Sequence, residues 1–351
     1  MKHIRFIRRF LLVGLVSIPL LLSGCGWFGA EETSTQIDPP QVDYELETEI
    51  FTDEADEEVM AEPEQLAPVT LYYKDAQGYV APIGLRIPAE EKIAELALEY
   101  MVDGGPAEGL LPSGFSALIP KGTTIVTNIT NNGLAIVDFS EHFTQYNPQD
   151  ERKILEAITW TLTGFKSVNK VEIWVAGRVL KQMPVDGTPL DEPLTRGMGI
   201  NLERTQDVNP ALASAVTLYF QSQNTDNYTY YVPVTRLIPH TEDMTAAAVH
   251  ELVKGPVDES QLSSVMASTT EVLNVEQKED TVIVNFGRNI IGSDHKVSAD
   301  SLQALVLSLT EQIGVPKVQI MIDGQAVAAA SDNVNYSTPV SRPSQVNPQK
   351  L

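Results

Sequence analysis

The side chain with the most distinctive chemistry in this sequence is Cys25, because it is the only cysteine of the chain. A thiol can form a disulfide, ligate a metal or carry a covalent group. A disulfide within the chain is excluded, since it needs a second cysteine. Cys25 directly follows Leu22, Ser23 and Gly24, an aliphatic residue and two small ones. This context directs attention to covalent modification of the thiol.

The segment before Cys25 has the charge and length of a secretory signal. Residues 1–9 carry four basic side chains and no acid, and residues 10–22 form an apolar run that is too short to span a bilayer. Followed by Leu22-Ser23-Gly24-Cys25, this pattern resembles the lipobox of bacterial lipoproteins. The resemblance implies that residues 1–24 are a signal peptide and that acyl chains on Cys25 anchor the protein in a membrane. An ordinary cleaved signal is the alternative.

The histidines offer little material for catalysis or metal binding. The sequence contains no H-E-x-x-H motif, no cysteine pair, no G-x-S-x-G turn and no phosphate-binding glycine loop. His250-Glu251 is a candidate acid/base or metal-binding pair, although a solvated helix face explains it more simply. We therefore expect no enzyme activity, no metal and no cofactor. The histidines beyond residue 25 are His142, His240, His250 and His295.

The charge of the chain argues against nucleic acid as a partner. The net charge is −23, and removing the four positive charges of residues 1–24 leaves −27. Such a protein repels the phosphate backbone. With 351 residues and 43% hydrophobic side chains, the chain can build two medium-sized domains with real cores.

A long acidic segment follows Cys25. Fourteen Asp and Glu residues lie between positions 31 and 66, without one Lys or Arg. Such a run repels itself and cannot bury enough apolar surface to offset its ordering entropy. We predict that residues 25–66 comprise the lipidated cysteine and a disordered acidic tether. An acidic binding tail for a basic partner or for cations is the alternative.

The rest of the chain contains an internal repeat. Val69-Thr70-Leu71-Tyr72-Tyr73 recurs 147 positions later as Val216-Thr217-Leu218-Tyr219-Phe220, and four further motif pairs follow in the same order. Five ordered pairs indicate two tandem domains, residues 67–204 and 216–330, joined by a linker at 205–215. We expect the polar, proline-dotted tail at 331–351 to fray. The four further pairs are Ile87-Pro88 with Ile238-Pro239, Gly105-Pro106 with Gly255-Pro256, Ile136-Val137-Asp138-Phe139 with Ile283-Val284-Asn285-Phe286, and Val171-Glu172-Ile173-Trp174-Val175 with Val318-Gln319-Ile320-Met321-Ile322.

Hydrophobic periodicity predicts the same elements in each half, in the order strand, strand, helix, hairpin, helix, strand. The fold class is therefore α+β, with two tandem copies of a two-layer domain whose helices pack on one face of a mixed sheet. In the first half the strands are predicted at 69–73, 79–86, 123–130, 133–139 and 168–175, and the helices at 90–101 and 151–163. In the second half the helices are predicted at 242–253 and 299–313.

With these motifs in place, the sequence resembles the GerM family of sporulation and spore-germination lipoproteins, which carry paired GerMN domains. The resemblance rests on the lipobox, the acidic tether and the two copies running from Leu-Tyr-Tyr through Ile-Pro and Gly-Pro to Val-Asp-Phe. It implies a non-enzymatic assembly protein on the extracytoplasmic face of the cell membrane, in the intermembrane space of a sporulating cell. It also implies protein partners in the channel complex between mother cell and forespore, and a fold similar to ring-building motifs.

Two repeated features suggest contact surfaces. Arg86 and Arg236 both precede the repeated Ile-Pro and are candidates for a shared partner surface, or for a loop cap or salt bridge. In the aromatic pairs Tyr72-Tyr73 and Tyr219-Phe220, strand alternation places one ring in the core and the other outside. Exposed rings would suit a peptidoglycan binder. Asp138 is replaced by Asn285 in the second copy, which leaves open whether the copies have equal roles.

We consider three functions. The first is an assembly lipoprotein, favoured because the histidines of the two halves do not correspond, whereas a duplicated enzyme would leave catalytic remains in both. The second is a peptidoglycan-binding or remodelling lipoprotein. The third is a solute-binding lipoprotein, disfavoured because its lobes usually exchange chain segments, whereas these repeats are predicted to be sequential and self-contained.

Overall fold

The structure is a computed structural model that describes residues 65–203, 208–293, 295–313, 316–327, 330–331 and 335–349. Cys25, the signal peptide and the acidic tether lie outside these residues, so the lipid anchor and the tether stay predictions. Within the described ranges, no helix has the length and apolar character needed to cross a membrane.

Both halves contain the predicted elements in the predicted order. The first half consists of β1 (Leu66–Lys74), β2 (Val80–Pro88), α1 (Ile93–Glu99), β3 (Ile125–Ile129), β4 (Leu134–Phe139), α2 (Glu151–Leu162), β5 (Lys170–Val175) and β6 (Arg178–Val179). The second half consists of β7 (Ala213–Gln223), β8 (Thr229–Pro239), α3 (Met244–Lys254), β9 (Val272–Lys278), β10 (Thr281–Phe286), α4 (Ala299–Ile313), β11 (Lys317–Ile322), β12 (Gln325–Ala326) and β13 (Val340–Ser341).

Each half has a mixed sheet, which confirms the α+β fold class. In the first half β3 and β4 are antiparallel, β4 and β5 are parallel, and β6 adds an antiparallel edge. The second half has the same order in β9, β10, β11 and β12, and β13 also pairs with β11. The first hairpin of each half, β1-β2 or β7-β8, is a separate two-stranded sheet. Helix α2 contacts both the hairpin strand β1 and the sheet strand β5, and α4 likewise contacts β7 and β11.

Helix α2 begins after a capped turn and is buried on nearly every side. The side chain of Asn147 accepts a hydrogen bond from the Gln149 N–H, and Pro148 occupies the first position of the short 3₁₀ turn that leads into the helix. Ten of the twelve α2 residues are buried. A helix buried on nearly every side needs cover from more than one layer. The β1-β2 hairpin covers the side of α2 that the mixed sheet does not reach, which is why the hairpin forms a separate sheet.

The turn after the parallel strand pair is the same in both halves. Gly177 and Gly324 have φ angles of 74° and 78°, as the turns into β6 and β12 require. The Asp138 carboxylate accepts a hydrogen bond from the Gly177 N–H at 3.0 Å, and the Asn285 side-chain oxygen accepts one from the Gly324 N–H at 2.9 Å. The replacement of Asp138 by Asn285 therefore preserves this contact, because both side chains offer an oxygen acceptor.

The prediction that strand alternation exposes one aromatic ring of each pair is wrong. Tyr72 is 2% exposed, and Tyr73, Tyr219 and Phe220 are fully buried. The physical reason is that each hairpin packs on two sides. The first hairpin contacts α2, the second contacts α3 and α4, and β2 contacts β8 of the other half. Side chains that alternate along a strand become exposed only when one face of the sheet contacts solvent.

The prediction that the tail frays is wrong for residues 335–349. Val340 and Ser341 form β13 against β11. Beyond them, Val346 is 4% exposed and Asn347 is 8% exposed, so this part of the tail is packed into the protein. The composition of the segment is polar, but its polar groups find partners within the fold.

Candidate functional site at the junction of the two halves

Two equivalent segments join the halves. We call residues 194–203 the first arm and residues 340–349 the second arm. Each arm begins on its own half: the Leu194 N–H donates to the Val171 carbonyl at 2.7 Å, and Val340 pairs with Val318. Each arm ends on the other half. The Glu203 N–H donates to the carbonyl of Thr235 in β8 at 2.9 Å, and the Gln349 N–H donates to the carbonyl of Gly84 in β2 at 3.0 Å.

The exchange of arms corrects one expectation from the sequence. The repeats are sequential, but they are not self-contained, because each completes a contact surface of the other. Repeat organisation therefore does not disfavour a solute-binding protein. The exchange also shows that the second copy extends past residue 330, since the second arm is the counterpart of the first.

An asparagine in the first arm fastens the hairpins of both halves together. The Asn201 side chain accepts a hydrogen bond from the Val80 N–H at 2.8 Å and donates to the Val80 carbonyl at 2.8 Å. It also donates to the Pro233 carbonyl of the other half at 2.7 Å. Both the oxygen and the nitrogen of the amide are thus used, and two strands from different halves share one side chain.

Asn347 in the second arm makes the same set of bonds with the halves exchanged. It accepts from the Tyr231 N–H and donates to the Tyr231 carbonyl, both at 2.8 Å, and it donates to the Pro82 carbonyl at 2.8 Å. Asn201 and Asn347 have φ angles of 46° and 50°, in the left-handed region that asparagine tolerates better than most residues. The junction therefore has approximate twofold symmetry at the level of individual atoms.

An arginine in each arm repeats this symmetry. Arg196 donates to the Trp160 carbonyl at the end of α2 at 3.1 Å, and Arg342 donates to the Leu307 carbonyl of α4 at 2.8 Å. Trp160 and Leu307 are 147 positions apart, as the repeat requires. Each guanidinium also donates to the hydroxyl three residues further along, that of Thr163 at 2.8 Å or Thr310 at 3.1 Å.

The symmetry breaks at the acid that joins the two arginines. Glu311 of α4 forms an ion pair with Arg196 of the first arm and another, at 2.9 Å, with Arg342 of the second arm. Its carboxylate also accepts a hydrogen bond from the Tyr219 hydroxyl at 3.1 Å. The position equivalent to Glu311 in the first half is Gly164, which has no side chain to offer. One carboxylate therefore serves two arginines.

The electrostatics of Glu311 follow from this arrangement. Its side chain is 5% exposed, and burial by itself would raise its pKa. The attraction of Arg196 and Arg342 outweighs that penalty, so the pKa of Glu311 lies below its ordinary value of 4.5. The carboxylate is ionised at neutral pH, and a broken pair would leave an uncompensated buried charge.

Of the two arginines predicted as a shared partner surface, only Arg86 is exposed. Arg236 is 3% exposed, so the prediction of a surface role for it is wrong. Its guanidinium pairs with Glu203 at 2.7 Å and with Glu251 at 3.1 Å. The hairpin register explains the difference. Arg236 pairs across its hairpin with Val216, whereas Val69, the equivalent of Val216, pairs with Leu85. Arg236 is therefore the structural equivalent of Leu85 and not of Arg86. The two arginines are one position apart in register and lie on opposite faces of their hairpins.

The candidate catalytic groups are not brought together. The four described histidines are exposed and lie on different elements, with His142 in a 3₁₀ turn and His250 on α3. Glu251, the neighbour of His250, forms ion pairs with Arg236 and Lys254. Among the described residues, no group of three or more His, Cys, Asp or Glu side chains is arranged to hold a metal ion.

The sequence contains a signal for the arms that is not among the five motif pairs. Leu194-Thr195-Arg196 and Val340-Ser341-Arg342 are 146 positions apart, and Ile200-Asn201 and Val346-Asn347 have the same spacing. Only the arginine and the asparagine are identical. Their spacing of 146 also differs by one from the 147 that three of the five motif pairs share, so the match appears only when a one-residue gap is allowed.

Comparisons with known proteins show which family and which proteins this chain is similar to. A family model described as Germane, sporulation and spore germination, matches residues 70–181 and 217–328. The chain is 40% identical over 355 residues to the spore germination protein GerM of Bacillus subtilis strain 168, covering 93% of this chain and 94% of that protein. A weaker similarity, 25% identity over 115 residues, links it to lipoprotein LpqB of Cutibacterium acnes, covering 32% of this chain and 19% of that protein.

A solved structure agrees with the fold. The tandem GerMN domains of the sporulation protein GerM from Bacillus subtilis superpose with a TM-score of 0.75 at 39% identity, covering 82% of this chain and all of that one. The fold and the junction define a tandem α+β repeat protein whose halves exchange arms. The chain belongs to the Germane family of sporulation and spore germination proteins, which confirms the family resemblance inferred from the sequence.

Proposed function

We propose that this protein is a membrane-anchored, extracytoplasmic assembly component in sporulation and spore germination. It acts in the intermembrane channel complex between mother cell and forespore and is held to the membrane by lipidated Cys25. The observation that carries the proposal is the 40% identity to a spore germination protein along 93% of the chain. The lipobox-like Leu22-Ser23-Gly24-Cys25 supports the anchor.

The use of buried charge supports an assembly role without catalysis. Arg196, Arg342 and Glu311 hold the halves together, and Arg236 and Glu251 hold α3 against β8. A catalytic group has to be available to a substrate, whereas these groups are committed to contacts within the chain. The exchanged arms favour a rigid two-domain body that offers a large fixed surface to partners.

Peptidoglycan binding is the second candidate, and purified cell-wall sacculi provide its test. The four rings of the repeated aromatic pairs are buried, so they do not support it. Solute binding is the third candidate, and the exchanged arms remove the earlier argument against it.

The anchor is tested by Cys25→Ala in a sporulating host. We expect the variant to leave the membrane fraction while the purified domains keep their melting temperature, because the first strand begins only at Leu66. Ser23→Ala, which keeps a small residue at that position, is the matched control and should stay in the membrane fraction. Retention of Cys25→Ala in membranes that lack its partners would contradict the anchor.

The non-enzymatic role is tested in the same host with single replacements of the described histidines. His142→Ala, His240→Ala, His250→Ala and His295→Ala should each sporulate normally, because an interface spreads its energy over many residues. A severe defect from one of them, at a normal protein level, would argue for catalysis.

A further inference from the structure

A cavity of about 410 Å³ lies beside the two arginines of the junction. Its lining includes both guanidinium-bearing residues, Arg196 and Arg342, together with Lys166, Tyr72 and Gly164. The side chains of Arg196 and Arg342 are 31% and 27% exposed, so part of each is open to this space. The cavity is therefore a partly open pocket whose charged lining residues are all cationic.

The internal repeat indicates what the pocket lacks. Gly164 lies 147 positions before Glu311, the acid that binds both arginines from the other side. A Cβ atom built on Gly164 would lie 4.0 Å from Nη2 of Arg196, so a side chain here would extend toward the arginine. Two equivalent carboxylates would balance the two arginines. The first half provides none, and the place of the second carboxylate is open.

Charge and hydrogen bonding at the pocket agree with a missing acceptor. The region contains three positive charges, from Arg196, Arg342 and Lys166, and one negative charge, from Glu311. Trp160, which also lines the pocket, is 1% exposed. In the part of the chain that the structure describes, its indole Nε1–H is buried without a hydrogen-bond partner. A buried donor without a partner is uncommon and calls for an explanation.

We propose that this pocket binds a carboxylate from outside the tandem domains, taking the place that an acid at position 164 would occupy. Arg196 and Arg342 bind the carboxylate, and Lys166 adds attraction at the opening. The ligand is the side chain of a glutamate or aspartate in a peptide segment. That segment belongs to a protein partner, whose acidic side chain complements the cationic lining of the pocket. The proposal stands on the pocket residues and does not depend on the role in sporulation.

The test uses the mature chain, residues 25–351 with Cys25→Ser, labelled with ¹⁵N at tryptophan. The probe is N-acetyl-glutamate N-methylamide, and the matched neutral control is the glutamine compound. We expect a saturable shift of the Trp160 indole signal with the glutamate probe and none with the glutamine compound. Trp174, whose indole N–H already donates to Glu172 at 2.7 Å, is the internal control and should not move. No saturable shift, or equal shifts with both compounds, would overturn the proposal.

A pair of variants tests the site from within the chain. Gly164→Glu supplies the missing carboxylate, so it should bind the probe severalfold more weakly than Gly164→Gln. A Cβ at this position lies 3.0 Å from the Thr161 carbonyl in both variants, so the strain is shared and the difference reports the charge. We also expect Gly164→Glu to melt several degrees above Gly164→Gln. Equal probe affinity in the two variants would contradict the site.

A further variant strengthens the test. Lys166→Gln changes an exposed residue, so it should fold normally and weaken probe binding a few-fold. Unchanged probe affinity in this variant would contradict the role of Lys166 in the site.

Discussion

The arm of the first half and the arm of the second half make matching hydrogen bonds with exchanged partners, whereas the helices they rest on end differently. Asn201 and Asn347 each bind one strand of their own half and one of the other. The helix of the second half carries Glu311 next to the arginines, where the first half has Gly164. The backbone pattern is thus kept in both copies, and the charge is present in only one.

This difference separates two kinds of constraint. The hydrogen bonds of the asparagines satisfy buried backbone groups of both hairpins, and losing them leaves donors and acceptors without partners. A carboxylate at position 164 satisfies no backbone group, so its absence from the first half leaves no backbone donor or acceptor without a partner. The two domains therefore share what the backbone needs and differ in the charge of one side chain.

The largest expected effect comes from removing residues 335–351. The truncated chain loses β13, Arg342 and Asn347, so we expect it to lose at least about 5 kcal/mol of stability, from a broken buried ion pair and lost apolar burial. Urea unfolding followed by circular dichroism measures this. A truncated chain as stable as the full one would show that the second arm does not hold the halves together. The two arms would then differ in function despite their matching hydrogen bonds.

A smaller loss is expected for Glu311→Gln, which keeps the shape of the side chain and removes its charge. Two guanidinium groups at the junction then lack their shared carboxylate, at a cost of about 3–5 kcal/mol at pH 7. The pKa of Glu311 is lowered in the folded protein, so its contribution is present above its ordinary value of 4.5 and is lost as the pH falls through the lower folded value. The difference between wild type and variant should therefore shrink below about pH 4.5. Glu276→Gln is the control, because Glu276 pairs with Lys278 at the surface and should cost no more than about 1 kcal/mol.

The two asparagines offer the most direct test of the symmetry. Asn201→Gly and Asn347→Gly keep the freedom to adopt a positive φ and remove three side-chain hydrogen bonds each, so each should cost about 2–3 kcal/mol. Alanine at either position should cost about 1 kcal/mol more than glycine, because of the left-handed backbone. Equal losses in paired unfolding experiments would support the symmetry. A loss of stability confined to one asparagine would show that the two arms contribute unequally to the free energy of unfolding.

The smallest expected effect on stability is that of Arg86→Ala. Arg86 is exposed on β2, so its removal should change the unfolding free energy by less than about 0.5 kcal/mol. Arg236→Ala is its contrast from the other half, and it should cost several kcal/mol because it leaves Glu203 and Glu251 without their shared cation. If Arg86 belongs to a partner surface, Arg86→Ala should reduce recruitment to the sporulation complex at unchanged stability. Normal recruitment would remove Arg86 from that surface.

The sequence by itself determined the family, the tandem repeat and the order of elements in each half. These follow from local patterns: hydrophobic periodicity specifies helices and strands, and five motif pairs in the same order, three of them 147 positions apart, show that the halves correspond. The absence of a shared histidine pattern was also visible without a structure.

The tertiary structure alone decided which side chains are buried and where the halves meet. Arg86 and Arg236 look equivalent in sequence, yet a shift of one position in the hairpin register places one outside and the other in an ion-pair network. Tyr72 and Tyr73 are both buried because a second layer covers the face that alternation would have exposed. The polar arm at 340–349 is ordered because its partners come from a strand more than 250 positions away. Local sequence cannot specify such contacts, since their energy depends on groups that only the complete fold brings together.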